Sequence, residues 1–312
     1  MIRNEDFART FRAIANENDP FPYQHAVAGG LFQRRNLVVT APTGAGKTFA
    51  VLAPFLCNRE AIGVRRLIYV LPLRTLAQGV LHEARAACKL VRPDWNVTIQ
   101  TGEQPEDPFF HLGDIIVTTY DQLLSGFLCQ PYGKSAMQYN MNAAAVWGNL
   151  IVFDEFHLMD VDKAFVTAVS CMDLFRESSR SVWMTATATK PLKEHLAAKL
   201  NALEVQLSDE ELRGLLDGRG IQRSLRRVDA SITAKEVLAS QQDRTLVVMN
   251  QVKRAQELFE ELMEEAKTVA FDTSRIVLLH ARFFASDREK KRQKLYELFG
   301  KNARGPAIAV AT

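Results

Sequence analysis

The stretch NLVVTAPTGAGKT, residues 36–48, decides the fold. An apolar, β-branched run at 37–40 feeds a glycine-bearing loop that ends in Gly46-Lys47-Thr48 and gives way to a helical pattern. Strand, loop and helix in that order gather main-chain N–H groups and a helix N-terminus around one point, which makes an anion cradle. Thr43, Gly44, Ala45 and Gly46 line it, Lys47 is expected to reach the terminal phosphates of ATP, and the Thr48 hydroxyl is expected to ligate Mg²⁺. The full eight-residue pattern asks for glycine where this chain has Ala41.

Outward from that loop, further short strand-like runs stand at 67–71, 97–100, 115–118, 150–153 and 181–184, most of them separated by helical stretches such as 74–90 and 162–177. Continuous apolar strands alternating with helices predict a doubly wound parallel sheet covered on both faces, hence the α/β class. In such sheets ligands sit beyond the carboxyl ends of the strands. Phe7, Phe11 and Ile14 fall at helical spacing and lead into a Pro-punctuated loop at 19–24. After residue 207 the text SDEELRGLLDGRGIQRSLRRVDA is charged and strandless, and it reads as a connector over 208–230. A second series follows, with strands at 245–249, 276–279 and 307–311 and helices at 251–265 and 286–299. The division expected is therefore a first domain at 1–207 and the opening part of a second at 231–312.

Composition excludes several classes. At 312 residues the chain exceeds the roughly 100–200 of one domain. Its 47% hydrophobic and 24% charged residues lie near globular averages, which argues against disorder. The net charge of +3 leaves no chain-wide basic footprint, so any nucleic-acid groove must be local. Cys57, Cys88, Cys129 and Cys171 are spaced for neither a zinc site nor a disulfide framework. No signal peptide and no 18-residue apolar segment is present, so a cytoplasmic chain without a membrane contact is expected.

A second chemical signal is LIVFDEFH, residues 150–157, which sets Asp154 and Glu155 at the end of an apolar strand. Two carboxylates there divide the labour: Asp154 holds Mg²⁺ and Glu155 orients and deprotonates the attacking water. Taken alone, His157 reads as a structural histidine.

TGAGKT together with DEFH resembles the Walker A and B boxes of superfamily 2 DExH helicases, and further boxes appear in order. PYQ at 22–24 resembles the box in which a glutamine, here Gln24, reads adenine. LPLRTLAQ at 71–78 resembles box Ia and implies Arg74. TGE at 101–103 resembles the next DNA-contacting box and implies Thr101 and Gly102. VTTYDQLL at 117–124 resembles box Ic and implies Thr118 and Thr119. MTATAT at 184–189 resembles the box that couples hydrolysis to movement, through Thr185, Ala186 and Thr187. VVMNQVKRAQEL at 247–258 is similar to box IV, implying Asn250, and LLHARFFASDREK at 278–290 to the box after it, implying Arg282. IAVAT at 308–312 is similar to the opening of box V. The resemblance implies a RecA-like first domain, an incomplete second RecA-like domain, and a catalytic set of Lys47, Asp154, Glu155 and His157.

Within that superfamily, DEFHLMD, GDIIVTTYDQLLSGFL and HARFFASDREKKR resemble the CRISPR-associated helicase of type I interference systems, and the segment 125–149 resembles an insertion seen there. That implies an ATP-driven motor on single-stranded DNA, recruited by a CRISPR surveillance complex. Many members also carry a His-Asp (HD) metal nuclease. Six histidines without an adjacent His-Asp pair leave that nuclease to be expected elsewhere. Box VI, with its arginines, is also missing, so weak turnover by these 312 residues is expected. An RNA-remodelling or DNA-repair ATPase of the same superfamily remains open, as does a non-catalytic nucleotide-sensing scaffold.

Overall fold

The computed structural model describes residues 4–132, 138, 140–217, 224, 225, 227, 231–280, 282–300 and 303–312. The chain divides into two compact units, Met1–Gln222 and Arg223–Thr312.

In the first unit the elements run α1 (Asn4–Ile14), α2 (Pro22–Phe32), β1 (Asn36–Thr40), α3 (Lys47–Ile62), β2 (Leu67–Leu71), α4 (Arg74–Val91), β3 (Val97–Gln100) and β4 (Ile115–Thr119). They continue with α5 (Tyr120–Phe127), β5 (Leu150–Asp154), α6 (Val166–Phe175), β6 (Arg180–Thr185), α7 (Lys190–Leu200), β7 (Ala202–Gln206) and α8 (Asp209–Asp217). The strands form one seven-stranded sheet in the order β3-β4-β2-β5-β6-β1-β7. Every pairing is parallel.

Alternation along each strand splits its side chains between two apolar layers. Leu37, Val39, Leu67, Tyr69 and Val152 join a core beneath α1–α4, where Phe11, Leu31, Phe55 and Leu81 meet them. Val38, Ile68, Ile151, Phe153 and Trp183 face the other way, against Leu123, Met172 and Leu196 of α5–α7. The result is the two-sided parallel sheet that the apolar runs predict. Trp183 of β6 stacks on Phe153 of β5 at 4.3 Å, and Phe156 and Phe165 both meet its ring edge-on at 5.9 Å. This aromatic wedge seats the segment just after β5, which carries the acidic residues.

Several expectations change. The loop foreseen at 19–24 gives way to α2, which starts at Pro22, where a missing N–H costs nothing. The helix foreseen from 162 opens instead with a π-turn over Val161–Phe165, capped by Asp160, which accepts from the N–H groups of Asp162 and Lys163. Strand β7 was not foreseen: it pairs beside β1 at the sheet edge, where Val205 alone is buried, so its pattern is weak. The connector expected over 208–230 begins as helix α8, which belongs to the first unit. Its residues 218–223, 226 and 228–230 lie outside the described residues, as do 133–137 and 139 of the segment 125–149.

The second unit holds α9 (Ala234–Ala239), β8 (Arg244–Val248), α10 (Val252–Thr268), β9 (Ile276–Leu279), α11 (Ala285–Phe299) and β10 (Ala307–Ala311). Its three strands lie parallel in the order β8-β10-β9. Leu258, Leu262 and Ala266 of α10 pack on Val247, Ile276, Leu278, Ile308 and Val310. On the edge strand β8, Leu246 and Val248 point the opposite way and are 62% and 68% exposed.

One buried polar side chain joins three elements of the first sheet. Asn36 Oδ1 accepts from Ser181 N at 2.8 Å, and its Nδ2 donates to Leu200 O at 3.0 Å, so the start of β1 is tied to β6 and to the end of α7. Asn36→Ala leaves both main-chain groups unpaired, at about 1–3 kcal/mol for each buried group. A drop of several degrees in thermal midpoint is expected by calorimetry, and an unchanged midpoint would show that water replaces the amide.

Candidate nucleotide site

Strands β1, β5 and β6 are neighbours in the order β5-β6-β1, so the loops after them meet at one sheet edge. The phosphate loop is sewn to the β6 loop by Ala41 N, which donates to Thr185 O at 3.1 Å. Gly44 and Gly46 take positive φ values of 79° and 83°, the left-handed region that glycine enters without a Cβ penalty. At Gly46 a Cβ would also stand 2.8 Å from Gln24 Nε2. Ala41 needs no such freedom: it is absent from the positive-φ residues and its methyl is buried. The departure from the eight-residue pattern is thereby accommodated.

Lys47 opens α3 and is 7% exposed. Its Nζ donates to Ala41 O at 3.1 Å and to Glu155 Oε1 at 3.0 Å. Glu155 has left-handed backbone angles, φ 50° and ψ 42°, a sparsely populated conformation for a residue with a Cβ. That reversal lets Phe156 enter the aromatic wedge while Glu155 faces the loop. Glu155 Oε2 is buried without a hydrogen-bond partner, 3.4 Å from His157 Nδ1. His157 Nδ1 in turn lies 2.8 Å from Thr185 Oγ1, with the donor set by the imidazole tautomer, and Thr185 Oγ1 accepts from Thr187 N at 3.0 Å. Lys47, Glu155, His157 and Thr185 are thus linked in one line across the three loops. Ala186 is half-buried and Thr187 exposed just beyond it.

Asp154 ends β5 beside them. Its Oδ2 accepts from the Tyr69 hydroxyl at 2.8 Å and its Oδ1 from Glu155 N at 2.9 Å, while its main-chain carbonyl accepts from the Tyr120 hydroxyl. Burial pushes the Asp154 carboxyl above its ordinary range, and the Tyr69 hydrogen bond and the Lys47 charge act against that rise. Tyr69 and Tyr120 are raised as well, by burial first and then by the neighbouring carboxylate charge. The donors near the cradle fit Mg²⁺: a carboxylate at Asp154 and a hydroxyl at Thr48 are hard oxygen groups. Among the described residues no three His, Cys, Asp or Glu side chains cluster as a metal set. Few protein ligands suit an ion that is held mainly by phosphates and water.

Gln24 is buried to 1% exposure. Its Nε2 donates to Gly46 O at 3.1 Å, and its Oε1 accepts from Phe21 N at 2.8 Å. Both ends of the amide are engaged on the protein, so an adenine contact requires exchange of one of these bonds. Tyr23 braces the same loop, its hydroxyl donating to Ala45 O at 2.6 Å. Its main-chain N–H donates to Glu211 Oε1 of α8 at 2.8 Å. Sequence reasoning missed Tyr23, Tyr69, Tyr120 and Glu211. Tyr23 and Tyr120 carried a signal, through their places in PYQ and VTTYDQLL, and Tyr69 and Glu211 carried none.

The residues expected to touch nucleic acid separate into two groups. Arg74 is exposed at the start of α4, 2.7 Å from Glu103, and Gly102 lies against its guanidinium. Thr101, Thr118 and Thr119 are buried. The Thr118 hydroxyl donates to Gln100 O at 2.7 Å and that of Thr101 accepts from Gln104 N at 3.1 Å. The hydroxyls of Thr101 and Thr118 are thus engaged at strand ends, and Thr119 is buried beside them. In the second unit Asn250 and Arg282 are exposed, and Ala281 of the HARFF stretch lies outside the described residues.

The DEAD/DEAH box helicase family matches residues 21–195. A second family, described as the C-terminal part of CRISPR-associated nuclease/helicase Cas3, matches residues 241–312. The CRISPR-associated helicase Cas3 of Thermoproteus tenax is 25% identical over 293 residues, covering 87% of this chain and 48% of that protein. The CRISPR-associated endonuclease/helicase Cas3 of Thermus thermophilus is 24% identical over 363 residues, covering 88% and 39%. The chain thus spans about half or less of the length of these relatives. A solved structure of T. fusca Cas3 superposes with a TM-score of 0.71 at 20% identity, covering 100% of this chain and 42% of that one, a likeness of fold. Both units are RecA-like, and the chain belongs to the DEAD/DEAH box helicases, in a Cas3-like form.

Proposed function

We propose that this chain is the ATP-driven motor of a CRISPR antiviral helicase, moving along single-stranded DNA in the cytoplasm. The observation that carries the reading is the line of contacts Lys47–Glu155–His157–Thr185, which joins a phosphate-binding lysine to a general base and then to the coupling loop. Similarity to Cas3 proteins along both units supports the CRISPR assignment. No helix among the described residues is long and apolar enough to cross a membrane.

In this reading Thr43, Gly44, Ala45 and Gly46 wrap the phosphates, and Lys47 exchanges the Glu155 carboxylate for the γ-phosphate. Glu155 is then free to orient a water molecule and take its proton. Bound Mg²⁺ neutralises charge on the phosphates, and Asp154 and Thr48 are the residues to hold it. Loss of the Lys47 contact leaves Glu155 facing His157, so the state of the nucleotide reaches Thr185 and the 184–189 loop. On the same edge Arg74 offers a guanidinium to a DNA phosphate, in place of Glu103. Asn250 and Arg282 are the corresponding candidates on the second unit. A surveillance complex recruits the motor, and an HD nuclease located elsewhere degrades what it unwinds.

Lys47→Ala is expected to abolish detectable ATP hydrolysis by the intact protein with an unchanged circular dichroism spectrum; unchanged turnover would remove the phosphate-loop assignment. Glu155→Gln is expected to keep nucleotide affinity and to lose hydrolysis by about 10²–10⁴-fold. An affinity loss equal to that of Lys47→Ala would show the base to be misassigned.

Turnover measured with single-stranded DNA, with single-stranded RNA and with neither is expected to rise with DNA. Stimulation by RNA alone would favour an RNA-remodelling ATPase, and no hydrolysis under any condition would favour the scaffold.

A further inference from the structure

Tyr69 lies inside β2, separated from the phosphate-loop strand by β5 and β6, and no motif includes it. Its ring is fully buried in the α1–α4 core. The hydroxyl, however, stands at the nucleotide edge, where it donates to Asp154 Oδ2 at 2.8 Å. Thr48 lies near enough to influence both the Tyr69 phenol and the Glu83 carboxyl. One phenol therefore bonds one of the two oxygen groups assigned to Mg²⁺ and neighbours the other.

We propose that Tyr69 is a positioning residue for the metal: it fixes the Asp154 carboxylate in rotation and spacing relative to Thr48, so that Mg²⁺ meets a ligand set already in place. The inference rests on the nucleotide reading above. The geometry gives it content. A carboxylate has about four lone-pair sites on its two oxygens. Tyr69 takes one on Oδ2 and Glu155 N takes one on Oδ1, which leaves each oxygen a free site in a fixed direction. Neighbours that bond a metal's ligands orient them, and removing such a neighbour costs about 10–100-fold in metal affinity. A bland role also exists, since a buried tyrosine needs some partner for its hydroxyl. That role predicts a change in stability and none in metal binding.

Tyr69→Phe separates the two, because the ring stays to fill the core. The affinity of the intact protein for a fluorescent, non-hydrolysable ATP analogue would be measured in EDTA and across a Mg²⁺ titration, with the thermal midpoint as a check on folding. The expected result is wild-type affinity in EDTA, together with a Mg²⁺ requirement raised by about 10–100-fold. A folded Tyr69→Phe protein whose Mg²⁺ titration matches that of the wild type overturns the proposal while leaving the nucleotide site standing. A wild-type protein whose nucleotide affinity does not respond to Mg²⁺ overturns the metal assignment, and the proposal with it.

Discussion

An ammonium group enclosed to 7% exposure needs an opposite charge, and Lys47 finds it on Glu155, 108 residues further along the chain. Removing one partner of a buried pair costs about 3–5 kcal/mol, which is large beside the stability of a typical domain. The pairing demands that β1 and β5 end at the same edge with β6 between them, and that the chain reverse at Glu155. In the proposed function phosphate and carboxylate compete for one lysine, so that filling the cradle and releasing the proposed base would be a single event.

The packing behind the edge makes that competition possible. Phe153, Phe156, Phe165 and Trp183 hold the chain on either side of Asp154 and Glu155, so the two carboxylates cannot drift with solvent. On the opposite face, Tyr69 rises from an entirely apolar strand to touch the same aspartate. Each layer of the sheet thus sends aromatic support to one short acidic segment. A site built this way is stiff where charge must be aligned and soft only at the ion pair.

Much of this was legible in the sequence, for identifiable reasons. Parallel strands buried on both faces spell themselves as unbroken apolar runs, so β2, β9 and β10 coincide with their expected limits. The residues just after such runs are the ones an α/β sheet gathers, which is why Lys47, Asp154, Glu155 and Thr185 could be placed together. What escaped depends on contacts between distant positions. Tyr69 and Asp154 are 85 residues apart, and Tyr23 and Glu211 are 188 apart. Nothing local marks either pair. Thr118 shows the converse: a threonine at a strand end looks available, and only the neighbouring strand reveals that its hydroxyl donates to Gln100 O. The helical start of the connector had a local mark, the Ser208–Glu211 capping box, but its tie to the first unit, the carboxylate of Glu211 accepting the N–H of Tyr23 at the start of α2, had none.

That last contact bears on where the first unit can be cut. A fragment ending at residue 207 would discard α8 and strip the cap from Tyr23 N, one residue from the glutamine that grips the phosphate loop. A fragment carried through Asp217 would retain its own cap. Two polypeptides of almost equal length, with identical motifs, would then differ in how firmly the nucleotide cradle is held shut. The terminus chosen for expression is in this sense a variable of the site itself.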